Sequence, residues 1–274
     1  MENYSVLMSV YMEEDPEYFA AAIQSMLDQT VVTDDFVIVC DGPLTAELDG
    51  ALEGFVSRYP GLFQIVRLRE NVGVGLAAKA GLAVCRNDLI AKMDSDDIST
   101  PDRCEKQLAQ FATEPELTLL GGVIEEFDNR TGKVCSVRCV PVDHEGICRY
   151  ARRRSPINNV TAMYRKSAAL DSGGYRDLRR GEDYDLYLRM LIRGCRARNL
   201  PDTLVRVRVD TDAHRRRTSW SAMGCCARIW WHAWRAGFSS LGDLVICLTG
   251  ELFLVICPGR LQQALYKRFL RKQI

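Results

Sequence analysis

Three carboxylates follow directly on a short apolar run in the first half of the chain. Residues 89–93 are apolar except for Lys92, and Asp94, Asp96 and Asp97 come at the end of this run. A strand that ends in clustered acids places oxygen ligands at the carboxyl edge of a sheet, where open α/β sheets bind their ligands. Carboxylates this close repel one another, so the cluster is suited to Mg²⁺ or Mn²⁺ bridging to a phosphate. The same residues also fit a plain acidic turn into a helix at Pro101.

A second cluster of acidic residues begins a later helix. The segment 182–192 predicts a helix with Glu182, Asp183 and Asp185 in its first turn and Gly194 past its end. By themselves, acids at this position cap the helix and complement its dipole.

Alternating strands and helices must position these acids. Apolar runs predict strands at 6–11, 36–40 and 63–68 and at the segment before Asp94, with helices at 16–27, 44–59 and 76–85 between them. This order predicts an α/β fold with a doubly wound, mostly parallel, Rossmann-like sheet. Right-handed crossovers would bring Glu13, Asp41 and Asp94 to one edge. Further along we predict a helix at 102–112, an edge strand at Leu117–Phe127, a strand at 135–141, a helix at 144–153 and a final strand at 204–209.

Charge is segregated along the chain although the formal net charge is zero. Residues 1–130 carry 9 Lys and Arg against 24 Asp and Glu, whereas residues 131–274 carry 27 against 12. An acidic half that holds a metal and a basic half that meets phosphates or an anionic membrane would explain this pattern, and so would two solvated halves that attract each other. The eleven cysteines show no metal or disulfide spacing, and the N-terminus lacks the features of a signal peptide. We therefore expect a cytoplasmic protein.

The last sixty residues differ in character from the rest. Residues 220–234 are rich in Trp and Arg, residues 244–257 are apolar but carry Glu251, and the tail after Pro258 is basic with no acids. Fourteen apolar residues are short for a membrane-spanning helix. The pattern favours a helix lying in a membrane interface over one packed on the domain with its charges in water.

Several fragments, in order, resemble the family 2 glycosyltransferases with a GT-A fold. The resemblance is strongest to the bacterial branch that builds exopolysaccharide and O-antigen units of the amylovoran type. It covers roughly residues 4–210. The fragments are Met8-Ser-Val-Tyr11, Ser25-Met-Leu-Asp-Gln-Thr30, Val39-Cys-Asp-Gly-Pro43, Glu70-Asn-Val-Gly73, Met93-Asp-Ser-Asp-Asp-Ile-Ser99, Gly121-Gly122 and Gly181-Glu-Asp-Tyr-Asp-Leu186.

The resemblance implies roles for particular residues. Asp41 matches the acid that accepts a hydrogen bond from the uracil ring, and Glu13 lies near the ribose, with Glu14 equally placed. Asp94 and Asp96 match the family's metal-binding DXD acids, for Mn²⁺ or Mg²⁺, and His214 is a candidate third ligand. Glu182 and Asp183 match the catalytic pair, with Asp183 as the general base. The remaining expected nucleotide-sugar contacts are Tyr11, Asn71, Gly73, Lys79, Ser95, Arg216 and Arg217.

These implications predict an inverting, metal-dependent glycosyltransferase at the cytoplasmic face of the inner membrane. It would move one hexose, galactose or glucose or an N-acetyl relative, from a UDP-sugar to a polyprenyl-diphosphate-linked saccharide. Residues 1–212 would form the GT-A domain, with a nucleotide-binding half at 1–100 and an acceptor half at 101–212. Residues 213–274 would form a helical, membrane-associating extension. Residues 155–161 and the turn at 171–175 are candidates for the acceptor rim.

Two other classes of protein remain open at this point. A nucleotidyltransferase would share a related sheet and acidic metal site, but its first strand is usually followed by a Gly-rich basic loop. Residues 11–15, Tyr-Met-Glu-Glu-Asp, are acidic instead. The second alternative is a catalytically silent assembly or membrane-docking module, although the candidate catalytic acids are all present. We expect no nucleic-acid partner.

Overall fold

The first half of the chain is a regular alternation of strands and helices. The computed structural model describes residues 2–209 and 220–256, with side chains throughout except at 220–222 and 254–256. The first seven elements are β1 (Tyr4–Val10), α1 (Pro16–Leu27), β2 (Asp35–Cys40), α2 (Ala46–Arg58), β3 (Phe63–Arg67), α3 (Val74–Val84) and β4 (Leu89–Asp94). Each agrees with its predicted counterpart to within about two residues, because the hydrophobic period and the turn residues mark both ends.

Local signals explain where the helices begin. The Asp15 carboxylate accepts hydrogen bonds from the backbone N–H groups of Glu17 and Tyr18, and Pro16 occupies the first turn of α1. Helix α3 lies close on the sheet because its facing residues are small. A Cβ at Gly81 would come within 2.4 Å of Leu7 Cδ1. Helix α3 can therefore bring its N-terminus to the end of β2.

The second half is less regular. Its elements are β5 (Ile98–Ser99), α4 (Arg103–Thr113), β6 (Leu117–Asp128), β7 (Val134–Arg138), α5 (His144–Ala151), a 3₁₀ turn (Asn159–Thr161), β8 (Met163–Arg165), α6 (Lys166–Asp171), α7 (Glu182–Ile192), β9 (Arg196–Val209), α8 (Trp220–Arg235) and α9 (Leu241–Ile256). The predicted final strand at 204–209 is in fact the end of a strand that starts at Arg196. The prediction missed its beginning because charged and polar residues alternate there with buried ones.

The strands form one mixed sheet in the order β3-β2-β1-β4-β8-β6-β9-β5, with β7 paired to β6. The four strands from β3 to β4 are parallel. Strand β8 is antiparallel to both β4 and β6, whereas β6 and β9 are parallel. The prediction of a mostly parallel sheet therefore holds for β1 to β4, and β8 reverses the direction beyond them.

The prediction that Leu117–Phe127 is an edge strand is wrong. Strand β6 pairs with β8, β9 and β7, and most of its residues are buried. The apolar residues of β6 show that it is a strand, but its partners in β9 lie about eighty residues away along the chain. Its place in the sheet depends on these distant pairings.

Two cores lie on opposite faces of the sheet. One contains buried residues of α1, α2 and α4, and the other contains buried residues of α3, α5, α7, α8 and α9. From the last two helices, Ile229, Trp230, Ala233, Leu244 and Cys247 enter the second core. The C-terminal helices are therefore packed on the domain along one side. Within residues 2–209 and 220–256, no helix is long and apolar enough to cross a membrane.

Candidate active site

A cavity of about 430 Å³ opens at the carboxyl ends of β1, β2 and β4. This is the edge at which parallel α/β sheets hold ligands. Five segments contribute to its walls: the end of β1, the turn after β2 with the loop into α3, the end of β4 with the acidic loop after it, the 3₁₀ turn, and the loop into α7 with its first residue. The lining residues are Ser9, Val10, Tyr11, Glu14, Asp41, Asn71, Gly73, Val74, Lys92, Asp94, Ser95, Asp96, Asn159, Arg179 and Glu182.

The Asp41 carboxylate organises one end of the cavity. Its two oxygens accept hydrogen bonds from the backbone N–H groups of Val72 and Gly73, at 2.8 and 3.0 Å. Gly73 has a φ of +90°, and a Cβ at Gly42 would lie 2.8 Å from the Asn71 nitrogen, so both turns require glycine. A carboxylate has about four acceptor positions, so each oxygen keeps one for a ligand. Asp41 can shape the loop and also accept a hydrogen bond from a ligand N–H.

The acidic loop after β4 has two carboxylates on the cavity and one that is tied back into the fold. Asp97 is 3% exposed, and its Oδ1 accepts a hydrogen bond from the backbone N–H of Arg208 at 3.0 Å. Asp94 and Asp96 line the cavity. Burial, with the negative charges of Asp94 and Glu14, raises the pKa of Asp96 to about 7. The loop therefore carries negative charge that a bound cation would neutralise.

These two carboxylates fit a divalent metal ion. Mg²⁺ is commonly held by one or two carboxylates together with substrate phosphates and water, rather than by an all-protein cage. In the part of the chain that the structure describes, no group of three or more His, Cys, Asp or Glu side chains is arranged to hold an ion. The candidate third ligand, His214, lies outside the described residues.

Glu182 and Asp183 begin α7 on the other side of the cavity. Gly181 before them has a φ of +73°, a conformation that turns the chain sharply into the helix. Glu182 lines the cavity, and Asp183 lies just behind it at 8% exposure. The Asp183 Oδ1 is buried and has no hydrogen-bond partner among the described residues. Burial and the charge of Glu182 raise the pKa of Asp183 well above its ordinary value, and burial also raises the pKa of Glu182.

Lys92 connects the two acidic groups. This residue is 1% exposed, and its Nζ lies 3.4 Å from Asp94 Oδ1. Burial alone lowers the pKa of Lys92, but the charges of Asp94, Asp183 and Glu182 outweigh it and leave the pKa raised. Lys92 is therefore a buried cation shared by the candidate metal site and the candidate base. The sequence pattern does not mark Lys92 as a site residue, because it lies within the apolar run of a strand.

Most of the predicted nucleotide-sugar contacts come together in the cavity, and a few do not. Glu13 is exposed and outside the lining, where Glu14 takes its place and accepts a hydrogen bond from Ser95 Oγ at 2.7 Å. Lys79 is exposed on α3 and is not part of the lining. Arg216 and Arg217, like His214, lie outside the described residues. The predicted residues that do line the cavity are Tyr11, Asp41, Asn71, Gly73, Asp94, Ser95, Asp96 and Glu182.

The lining also includes residues that the sequence did not single out. Asn159 lies within the segment 155–161, and its Nδ2 is 3.4 Å from Asp94 Oδ1, so that segment reaches the cavity. Arg179 precedes Glu182 by three residues, and no spacing rule marks it. The predicted rim turn at 171–175 contributes nothing to the lining. Its Gly174 carbonyl accepts a hydrogen bond from Arg189 at 2.6 Å, which ties the turn to α7.

Comparison with known proteins assigns the family. Residues 5–170 match the model of glycosyl transferase family 2, and residues 89–260 match that of glycosyl transferase family group 2. An uncharacterized glycosyltransferase of Haemophilus influenzae is 35% identical over 98% of this chain and 100% of its own length. The amylovoran biosynthesis glycosyltransferase AmsE of Erwinia amylovora is 35% identical over 80% of each chain. The UDP-Gal:α-D-GlcNAc-diphosphoundecaprenol β-1,3-galactosyltransferase of Escherichia coli is 30% identical over 98% of this chain and 97% of its own.

Solved structures share the fold at low sequence identity. The mannosyltransferase PcManGT of Pyrobaculum calidifontis, in complex with GDP-Man and Mn²⁺, superimposes with a TM-score of 0.67 at 15% identity over 92% of this chain and 69% of that one. S. aureus TarS 1–349 in complex with UDP-GlcNAc gives 0.67 at 18% identity over 95% and 77%. The family match over residues 5–170 removes the nucleotidyltransferase alternative. The chain belongs to glycosyl transferase family 2, with a mixed α/β fold of the GT-A kind, and is a glycosyltransferase of the exopolysaccharide and O-antigen type.

Proposed function

We propose that the protein is an inverting, metal-dependent enzyme that transfers one hexose from a UDP-sugar to a lipid-diphosphate-linked saccharide. One observation carries the proposal. Two acidic groups, Asp94 with Asp96 and Glu182 with Asp183, meet at one cavity with the buried cation Lys92 between them. We assign donor binding to residues 1–100, acceptor binding to 101–212 and membrane contact to 213–274.

The donor end of the cavity suits a uridine nucleotide. The free acceptor positions of the Asp41 carboxylate can take the imide N–H of uracil. Two relatives support the choice, since the E. coli relative is named for UDP-Gal and TarS was solved with UDP-GlcNAc. Galactose, glucose and their N-acetyl derivatives are therefore the donor sugars to test. PcManGT, solved with GDP-Man, makes GDP the control nucleotide.

Two features of the cavity would bind the diphosphate of the donor. Asp94 and Asp96 would hold Mn²⁺ or Mg²⁺, which when bound neutralises the charge of the leaving nucleoside diphosphate. Arg179 lines the same cavity and makes no ion pair with any described residue, so its guanidinium is available for a phosphate. Arg216 and Arg217 are further candidates in the sequence that follows β9.

Asp183 is the proposed general base. Its unpartnered Oδ1 and raised pKa give it the basicity that an ordinary exposed aspartate lacks. Glu182 contributes in two ways: it faces the cavity, and its charge makes Asp183 more basic. A base on the side of the sugar opposite the departing diphosphate would direct the acceptor hydroxyl into in-line attack. That geometry inverts the anomeric centre.

The acceptor we propose is a saccharide on a polyprenyl diphosphate at the cytoplasmic face of the inner membrane. The E. coli relative is named for a diphosphoundecaprenol acceptor. The basic second half of this chain suits an acceptor with a diphosphate and a membrane surface. Asn159 and the segment around it reach the cavity beside Asp94 and are placed to meet the acceptor sugar.

The test is UDP release with Mn²⁺ across a panel of UDP-sugars, followed by transfer to a lipid-diphosphate-linked GlcNAc acceptor. We expect slow hydrolysis of one UDP-sugar, none of GDP-mannose, and loss of release in Asp96→Ala. Asp183→Asn should still bind UDP with Mn²⁺ but should lose transfer by about 10²-fold or more. Asp177→Asn, an exposed carboxylate on the loop before α7, serves as the matched control and should behave like wild type.

Two results would contradict the proposal. Transfer by Asp183→Asn at the wild-type rate would remove Asp183 as the base. UDP and Mn²⁺ binding without release from any donor, even with acceptor present, would favour the catalytically silent module.

A further inference from the structure

Helix α9 has an exposed face that is entirely uncharged. Leu244 and Cys247 point into the core, and Asp243 is buried with hydrogen bonds to Ser240. With 3.6 residues per turn, the exposed apolar residues fall on the opposite side within an arc of about 140°. They are Leu241 at 58% exposure, Val245 and Ile246 at 51%, Leu252 at 40% and Phe253 at 53%.

This arrangement differs from the scattered apolar residues of an ordinary surface. Only Gly242, Thr249 and Gly250 share the exposed side of α9 over residues 241–253, and neither of its two acids, Asp243 and Glu251, is exposed. A contiguous apolar stripe of this kind marks an interaction surface. Helix α8, which packs on α9, adds an exposed tryptophan, Trp231 at 51%. Tryptophan is enriched where proteins meet the membrane–water boundary.

Three exposed arginines adjoin this helix pair. Residues 152–154, at the end of α5, are Arg-Arg-Arg and all exposed. The Arg153 Nε lies 2.6 Å from Asp243 Oδ1 in the first turn of α9, and Trp230 Nε1 of α8 donates a hydrogen bond to the Arg153 carbonyl at 3.2 Å. An apolar helix face beside a basic cluster is the chemistry of a surface that binds anionic lipid.

A second copy of the chain is a less suitable occupant. Two identical faces packed about a two-fold axis would bring the two Arg152–Arg154 clusters toward each other, and like charges would oppose the contact. An anionic bilayer, in contrast, offers hydrocarbon to the stripe and phosphates to the arginines at the same time.

We propose that the exposed face of α9, the residues Leu241, Val245, Ile246, Leu252 and Phe253, lies in the headgroup region of an anionic bilayer. Arg152 and Arg154 contact lipid phosphates beside it. The partner follows from the proposed function, because a lipid-linked acceptor resides in such a bilayer. The location also suits delivery of the acceptor to the candidate catalytic site. Ile229 of α8 packs against Gly181, the residue before Glu182, and a Cβ added at Gly181 would lie 3.1 Å from Ile229 Cδ1. The docking helices therefore contact the start of the helix that carries the proposed base.

The test is flotation of the full chain with vesicles of phosphatidylcholine, alone or with about a third of phosphatidylglycerol. We expect binding to the anionic vesicles that weakens in high salt. The double variant Ile246→Ser/Phe253→Ser should lower the partition coefficient by about tenfold or more. The pair Arg152→Gln/Arg154→Gln should remove the preference for anionic lipid. Helix α2 offers matched controls, since Val56→Ser and Arg58→Gln change an exposed apolar and an exposed basic residue far from α9 in sequence and on the other core.

The outcomes separate this proposal from the proposed function. Equal flotation of wild type and Ile246→Ser/Phe253→Ser, with unchanged melting temperatures, would overturn the docking face. A dimer in solution that this variant dissociates, without vesicle binding, would assign the face to a second copy and also overturn it. Hydrolysis of a UDP-sugar without membranes reports the catalytic site alone. Absence of UDP release both without and with the acceptor would contradict the proposed function while leaving vesicle binding as a valid result.

Discussion

Replacing Lys92 by methionine tests whether a buried cation holds the two acidic groups together. The Nζ–Oδ1 distance to Asp94 is 3.4 Å, which at an effective dielectric constant of about 20 corresponds to about 5 kcal/mol of attraction. The Asp94 side chain is 39% exposed, so solvent screens part of this attraction. Removing one partner of a fully buried pair costs about 3–5 kcal/mol, and we expect about 2–4 kcal/mol here.

The loss should grow with pH. Without Lys92 the folded-state pKa values of Glu182 and Asp183, already raised, rise further above their unfolded values. A group with a raised folded pKa contributes stability below its unfolded pKa, and this stability is lost as the pH rises through the folded pKa. Lys92→Met should therefore be destabilised more at pH 8 than at pH 5.5. Urea unfolding at both values measures the difference.

Two controls accompany this measurement. Lys92→Arg keeps the charge and should lose less stability than Lys92→Met. Lys79→Met removes an exposed lysine from α3 and should change the free energy of unfolding by no more than about 0.5 kcal/mol. A pH-independent loss in Lys92→Met, or one no larger than that of Lys79→Met, would refute the assignment of Lys92 as the shared cation.

Three further predictions concern the donor cavity. Arg179→Ala should weaken UDP binding by about tenfold but leave uridine binding unchanged, because only UDP carries phosphates. Arg180→Ala is the matched control, and calorimetry measures both ligands. Equal losses of affinity for UDP and uridine would assign Arg179 to the nucleoside instead. Gly75→Ala should lower the free energy of unfolding by about 1–3 kcal/mol in urea, because its Cβ would lie 2.4 Å from the Arg176 carbonyl oxygen. It should also weaken UDP binding, since Arg176 is in the loop that carries Arg179. An unchanged stability would contradict this close packing. Mn²⁺ binding should tighten by about tenfold between pH 6 and pH 8, with release of a proton. Asp96 must lose a proton to bind the ion, and its pKa is about 7. A Kd that does not change across this range would argue against Asp96 as a ligand.

The first half of the chain was predictable because its signals are local. The Asp15 cap with Pro16 marks the start of α1, and the apolar run before Asp94 marks the buried strand β4. Since parallel strands joined by right-handed crossovers end at one edge, Asp41 and Asp94 had to meet there. The family resemblance then predicted eight of the lining residues.

The second half was less predictable because its pairings span long distances. Strand β8 is only three residues long, and it reverses the direction of the sheet by pairing with β4 on one side and β6 on the other. Nothing in the sequence around residues 163–165 indicates either partner. The misplacement of β6 at an edge follows from this missing information.

The amino-acid sequence by itself determined the order of the elements, the two acidic pairs and the amphipathic character of the C-terminal part. Each of these depends on residues within a few positions of one another, through hydrophobic period, capping and turn chemistry. Only the tertiary structure decided that Lys92 stands between the two acidic pairs, that Glu14 rather than Glu13 lines the cavity, and that Arg179 joins it. It also decided which side of α9 is buried. These features depend on which distant segments pack together, and that choice is made by the free energy of the whole fold.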